Sequence, residues 1–117
     1  MTTTEKNRLL AEFMGLYEKY ETGSFYINGG FWVEHEFRYH SDWNWIMQVV
    51  EKIEKELEDE FRIVIYEDEC YIYRKTGNEK LLLEFVPITE KIETSKIEAV
   101  YNACVEFVEW YNENKKQ

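Results

Sequence analysis

The strongest constraint on the fold is the stretch from Tyr39 to Glu54, which reads YHSDWNWIMQVVEKIE. Ser41 and Asp42 are typical helix N-cap residues, because their side-chain oxygens can accept hydrogen bonds from backbone N–H groups of the following turn. Apolar residues then recur at spacings of three and four, as on one face of an amphipathic helix. These residues are Trp43, Ile46, Met47, Val50, Ile53 and Leu57, with Trp45 and Val49 beside them. The stretch therefore predicts a helix that covers a core.

Two more helices are predicted near the ends of the chain. Thr2 and Glu5 have the spacing of a capping box, and Gly15 is placed to end the first helix in a left-handed conformation. Ser95 and Glu98 have the same capping spacing at the start of the last helix. The apolar residues are Leu9, Leu10, Phe13 and Met14 in the first helix, and Ile97, Val100, Tyr101, Cys104, Phe107, Val108 and Tyr111 in the last, which is predicted to end near Glu113.

Three short strands are predicted between the second and third helices, at 61–66, 70–75 and 80–86. Residues 76–79 have turn chemistry, and Pro87 is predicted to end the third strand because it lacks a backbone N–H group. Short connections between strands favour an antiparallel meander.

The faces of this sheet follow if the loop around Asp68 has an even number of residues, because opposite residues of a ladder share a face. One face would then hold Phe61, Ile63, Ile65, Cys70, Ile72, Leu81, Leu83 and Phe85. The other would hold Arg62, Val64, Tyr66, Tyr71, Tyr73, Leu82, Glu84 and Val86. The second face is too apolar to meet water alone, so we expect a helix, the aromatic segment described next or a partner chain to cover part of it.

An aromatic insert at about 16–39 contains two groups of turn residues, at 21–24 and 28–30. We predict an irregular hairpin or a long loop whose aromatic residues cover a core edge, with a binding surface as the alternative. The whole chain, 1–117, is predicted to form one α+β domain. Its fold is a three-stranded antiparallel meander with three helices packed around it, similar to an α-β-α sandwich.

The charge and the cysteines exclude several classes of function. The formal net charge of -10 disfavours direct binding of nucleic acid and of anionic membranes. The N-terminus is polar and no window approaches the ~18 apolar residues of a membrane span, so a cytoplasmic location is expected. Cys70 and Cys104 lie in apolar stretches without a CxxC spacing, which favours buried, reduced thiols.

Candidate catalytic residues are few. The chain has no GxxxxGK[ST], GxGxxG or HExxH motif, so no cofactor is predicted. His35, His40 and Asp42 combine imidazole and carboxylate, as a zinc site would require, but a helix start explains Asp42 as a cap. Either cysteine with His40 and Asp42 would make a nucleophilic site, yet a reactive thiol needs a polar setting. We therefore predict no catalytic residue and no metal site.

The segments NRLLAEFMG, Asn7 to Gly15, and YHSDWNWIMQVVEKIE resemble a group of small phage and prophage proteins of gut bacteria, the phage α-β-α sandwich type. Gln48 departs from the pattern, which often has proline after the methionine. The resemblance implies the fold and a phage origin. It implies no catalytic residue, since the family has no assigned reaction.

The predicted function is that of a non-enzymatic phage or prophage accessory protein acting through protein contact. Its partner is an unidentified protein, a host protein being one candidate, and both a monomer and a homodimer remain open. The alternatives are an acidic nucleic-acid mimic that inhibits a host defence protein and a small metal-dependent hydrolase. The candidate interaction surface consists of Tyr26, Phe31, Trp32, Glu54, Glu58, Glu67, Asp68 and Glu69.

Overall fold

The computed structural model of the chain describes residues 1–15, 17–18, 24–27, 30–33, 37–57, 60–76 and 84–114. Its helices are α1 (Thr3–Phe13), α2 (Trp43–Glu51) and α3 (Lys96–Asn114), and a π-helical turn (Lys52–Glu56) continues α2. Its strands are β1 (Tyr17–Glu18), β2 (Ser24–Ile27), β3 (Gly30–Val33), β4 (Phe61–Tyr66), β5 (Glu69–Thr76) and β6 (Glu84–Ile92). The predicted α+β class is confirmed, with three helices and a three-stranded antiparallel sheet between the second and third of them.

Helix α1 begins and ends as its sequence predicts. The Thr2 hydroxyl accepts from the Glu5 N–H at 3.1 Å, and the Glu5 carboxylate accepts from the Thr2 N–H at 3.2 Å, which completes the capping box. The backbone hydrogen bond from Thr2 lowers the pKa of the Glu5 carboxyl. Gly15 follows the helix with a φ of 100°, a left-handed conformation that glycine adopts without steric cost.

Helix α2 is capped by Asp42, whose Oδ1 accepts from the Asn44 N–H at 2.8 Å. Its buried residues are Ile46, Val49, Val50 and Ile53 of the following turn. The predicted apolar stripe is thus rotated, because Trp43 and Met47 remain 39% and 37% exposed. The Lys52 ammonium donates a hydrogen bond to the Phe13 carbonyl, joining the π-helical turn to the end of α1.

The aromatic insert contains a small antiparallel sheet in the order β1-β2-β3. Strands β2 and β3 pair Ile27 with Gly30, so Asn28 and Gly29 alone separate them. The sequence left a hairpin and a long loop open for this insert. Strand β1 adds a third strand to the sheet through the pairing of Tyr17 with Tyr26.

The larger sheet has the order β4-β5-β6 and is antiparallel throughout. Tyr66 pairs with Glu69, so the loop around Asp68 has two residues and the predicted even register of β4 and β5 is confirmed. Helix α3 packs on the apolar face of this sheet, with the Phe61 and Phe107 rings at 4.8 Å. Helices α1 and α2 both pack against α3, and the buried side chains form one hydrophobic cluster.

The third strand differs from its prediction. Strand β6 runs through Pro87 to Ile92, because the register shifts opposite Ile72 and Tyr73 and the proline lies at this irregularity in an edge strand. Thr76 pairs with Glu84, so seven residues, 77–83, separate β5 from β6 instead of the predicted four. Because seven is odd and the predicted four is even, the residues at the start of β6 pair with β5 positions that are one residue out of the predicted alternation.

Phe85 consequently pairs with Lys75, and Val86 and Glu84 pair with Arg74 and Thr76. The predicted register, which aligned Phe85 with the positions of Cys70 and Ile72 and put Val86 and Glu84 at the alternate positions, is wrong for this reason. Leu81, Leu82 and Leu83 lie outside the described residues.

The free edge of β4 is occupied by a carboxylate. Glu54, in the π-helical turn, accepts through Oε2 from the Ile63 N–H at 3.3 Å and is half-buried. An edge strand otherwise leaves such N–H groups without a protein partner. The place of Glu54 in an interaction surface stays a prediction, and the structure adds a hydrogen bond that links its carboxylate to β4.

We expect Glu54→Ala to lower the free energy of unfolding by about 1–2 kcal/mol, because the Ile63 N–H loses its hydrogen-bond partner. Chemical denaturation measures this change, and amide hydrogen exchange at Ile63 should accelerate. Glu51→Ala removes an exposed glutamate from the end of α2 and should change stability by less than about 0.5 kcal/mol. Equal losses in the two variants would contradict the role assigned to Glu54.

Candidate interaction surface

The face of the larger sheet opposite α3 is called here the open face. Three rows of paired residues build it across β4, β5 and β6. Its described residues are Arg62, Val64, Tyr66, Glu69, Tyr71, Tyr73, Glu90 and Ile92. They follow from the alternation of side chains along each strand, since Ile63, Cys70 and Ile72 point into the core.

The open face has exposed apolar and aromatic side chains among its charged ones. Val64 is 47% exposed, Tyr66 61% and Ile92 57%. Tyr66 and Ile92 belong to one row, on either side of Glu69, and Val64 belongs to the next. Scattered apolar residues are normal on protein surfaces, whereas a contiguous exposed patch marks a contact surface.

Tyr71 lies at the centre of the open face, between Val64 and Glu90. Its hydroxyl donates to Glu69 Oε1 at 3.0 Å, and its ring stacks on Tyr73 with centroids 6.2 Å apart and planes at 17°. The hydrogen bond to Glu69 raises the pKa of Tyr71 to about 12, with further contributions from burial and from the charges of Glu69 and Glu90.

The turn between β4 and β5 places carboxylates at one end of the open face. Glu67 and Asp68 are exposed there, and the Asp68 carbonyl accepts from the Glu93 N–H at 3.2 Å. Glu67 has a φ of 53°, in the left-handed region that glycine and asparagine prefer. We call Glu67, Asp68 and Glu69 the acidic tip.

The residues predicted from the sequence to form an interaction surface fall into separate groups. Glu67, Asp68 and Glu69 come together in the acidic tip, directly beside Tyr66 and Ile92. Tyr26, Phe31 and Trp32 belong to the small sheet, where Tyr26 pairs with Phe31. Glu54 caps β4 as described above, and Glu58 lies outside the described residues.

Sequence reasoning identified most of the open face but missed Glu90 and Ile92. Both lie beyond Pro87, where the third strand was predicted to end. After Pro87 the segment reads ITEKI, in which only Ile88 and Ile92 are apolar, so no alternation of apolar and polar residues outweighed the proline.

The predicted histidine cluster takes part in packing contacts. His40 Nδ1 lies 3.0 Å from Asn7 Nδ2, which also donates to the Phe37 carbonyl at 3.3 Å. The His40 ring meets the Tyr101 ring edge-on at 6.1 Å. Asp42 caps α2, and His35 lies outside the described residues.

The cysteines are buried in the core between β5 and α3. Burial raises the pKa of Cys70 to about 12, and burial with the nearby Cys70 raises the pKa of Cys104 well above its ordinary value. Both therefore remain thiols at neutral pH, whereas nucleophilic attack requires a thiolate.

A polar cleft of about 260 Å³ lies where α1, β6 and α3 meet. Its polar side chains pair with one another. The Lys91 ammonium lies 2.8 Å from the Glu106 carboxylate, Asn102 donates a hydrogen bond to Glu93 at 3.2 Å, and Lys6 donates one to Asn102 at 3.3 Å. The hydrogen bond to Glu106 raises the pKa of Lys91. These contacts link the three elements.

No known family matches this chain. Comparisons with models of protein families, with curated proteins and with solved structures each returned no match.

Within the ranges given above, no group of three or more His, Cys, Asp or Glu side chains is arranged to hold a metal ion. Among the helices described, none has both the length and the apolar composition needed to cross a membrane.

We expect His40 to carry its proton on Nε2. The Phe37 carbonyl can only accept a hydrogen bond, so Nδ2 of Asn7 must face it, and His40 Nδ1 must then be an acceptor. Two-bond ¹H–¹⁵N correlation spectra at neutral pH would identify the tautomer, with His35→Gln assigning the signals. A proton on Nδ1 would contradict this geometry.

We expect Glu69→Ala to lower the pKa of Tyr71 from about 12 towards its ordinary value of 10.0, because the hydroxyl loses its charged acceptor. A raised pKa in the folded state means that the stabilisation is complete below pH ~10 and is lost as the pH rises towards 12. Carbon-13 NMR of the Tyr71 ring through this range measures the shift. Glu51→Gln, on α2, should leave the titration unchanged; identical curves for Glu69→Ala and the wild type would contradict the expectation.

Proposed function

We propose that this protein is a non-enzymatic phage or prophage accessory protein that binds a basic protein of the host cytoplasm through its open face. The observation that carries the proposal is the exposure of Val64, Tyr66 and Ile92 on one face of the larger sheet. The resemblance to phage α-β-α sandwich proteins supports the phage origin and supplies no reaction.

The open face favours protein contact for a physical reason. A sheet face that meets only water normally carries polar side chains, whereas this face exposes Val64, which pairs with Tyr71, and Ile92, which pairs with Glu69. Covering such side chains removes apolar surface from water, at about 25 cal/mol for each Å². Tyrosines in turn are enriched at interfaces because they offer both a ring and a hydroxyl.

The charge of the surface indicates the charge of the partner. The acidic tip and Glu90 lie beside the exposed side chains of Tyr66, Ile92 and Val64. Arg62 is the one cationic residue among the eight described residues of the open face. The whole chain carries a net charge of -10. A second copy would bring like charges together, while a basic protein would be attracted and steered to this face.

The proposal is tested by affinity capture from a lysate of the bacterial host, with the double variant Val64→Ser, Ile92→Ser beside the wild type. We expect the wild type to retain a basic protein and the variant to lose about tenfold in affinity, which is about 1.4 kcal/mol. Met47→Ser is the matched control, because Met47 is an exposed apolar residue on α2.

The control should bind as the wild type does, and circular dichroism should show that every variant is folded. Capture that is equal for the double variant and the wild type would overturn the proposal. So would a partner that Met47→Ser also loses.

A second candidate function, an acidic mimic of nucleic acid, is favoured by the exposure of Glu67 and Asp68 at the tip. Such a mimic would occupy a DNA-binding groove of a host defence protein, mainly through charge. Binding should then fall steeply with salt and be lost in Glu67→Gln, Asp68→Asn. If the partner is bound mainly through Val64, Tyr66 and Ile92, capture should instead persist at high salt.

A further inference from the structure

The centre of the open face carries a more specific arrangement than a general docking surface needs. Tyr71 has Glu90 opposite it on β6 and Glu69 two positions earlier on its own strand. Its hydroxyl donates to Glu69 Oε1, and its ring plane lies within 17° of that of Tyr73. Two carboxylates thus border a pair of nearly parallel rings.

We propose that Tyr71, Glu69 and Glu90 form a receptor for an arginine side chain of the protein partner. This inference rests on the proposed function, because it assigns the central contact of the same face. The ring face attracts a cation through its quadrupole, and the carboxylates accept the N–H groups of a guanidinium.

The same chain already holds a guanidinium in this way on the opposite face of β5. Arg74 lies 6.0 Å above the Trp110 ring, and its Nε donates to Glu60 Oε1 at 2.7 Å. An aromatic ring and a carboxylate therefore position an arginine within this fold. Tyr71 with Glu69 and Glu90 offers the same two groups to the exterior.

Local charge favours an external cation at this site. Glu69 accepts from the Tyr71 hydroxyl, and an ionised carboxylate has about four acceptor positions in all, so it can accept further hydrogen bonds. Arg62 Nη1 donates to the Phe61 carbonyl at 2.9 Å. Among the eight described residues of the open face, the two glutamates at Tyr71 therefore exceed the single positive charge of Arg62 by one.

Geometry favours arginine over lysine or a methylated ammonium. A guanidinium is planar and weakly hydrated, so it stacks on a flat ring and pairs with a carboxylate at its edge. Quaternary ammonium groups are recognised by aromatic cages that enclose them. The rings of Tyr71 and Tyr73 are nearly parallel and do not enclose a cation as a cage would, and a flat ring face suits the planar group.

The test titrates isotope-labelled full-length protein with two charge-matched peptides, hexa-arginine and hexa-lysine, and follows the ring signals of Tyr71 by NMR. We expect hexa-arginine to bind about two- to fivefold more tightly and to shift these signals. Tyr71→Leu should remove the preference for arginine, while Tyr71→Phe, which keeps the ring face, should retain it.

Glu90→Gln should weaken the binding of both peptides, and Glu51→Gln on α2 should weaken neither. Equal affinity for the two peptides, or shifts that avoid Tyr71, would overturn the arginine receptor. That result would leave intact a partner captured through Val64 and Ile92. Conversely, arginine-selective shifts without such a partner would support the receptor and count against the proposed function alone.

Discussion

The packing of α3 against one face of the larger sheet is the interaction on which the rest of this structure depends. Phe107 meets Phe61 of β4 at 4.8 Å, and Trp110 lies beyond it at 5.9 Å from the same ring. Helix α1 reaches this cluster through Phe13, whose ring meets Phe107 edge-on at 6.4 Å. Because α1 and α2 contact α3, their apolar sides add to the same core. The opposite face of the sheet is the open face.

The irregularity in β6 changes which side chains point towards α3. Thr89 pairs with Ile72 and is buried, and its hydroxyl has no hydrogen-bond partner among the described residues. Lys91 pairs with Cys70 and reaches Glu106 of α3 at 2.8 Å. The same shift brings Glu90 opposite Tyr71 and Ile92 opposite Glu69. One register shift therefore places a polar residue in the core and completes the open face.

Local signals predicted the features that depend on neighbouring residues. Thr2 and Glu5 cap α1, and the two-residue loop after Tyr66 fixes the register of β4 and β5. The path of β6 was not predictable in this way, because Pro87 is tolerated only through an irregularity that the sequence does not encode locally. The sequence assigned Glu54 to the surface because of its charge. Its hydrogen bond to the Ile63 N–H was not predictable, because that bond depends on how the π-helical turn meets β4. A complete prediction of the open face would have required the full extent of β6, because Glu90 and Ile92 lie beyond Pro87.

The bond between Glu54 and Ile63 also bears on how molecules of this protein meet one another. Strand β4 reads FRIVIY, a sequence rich in β-branched and aromatic residues that readily recruits further strands. Glu54 occupies an outward N–H group at that edge, and a strand from a second molecule would have to displace a negative charge to pair there. The charge of this one side chain therefore disfavours edge-to-edge pairing of two molecules along β4.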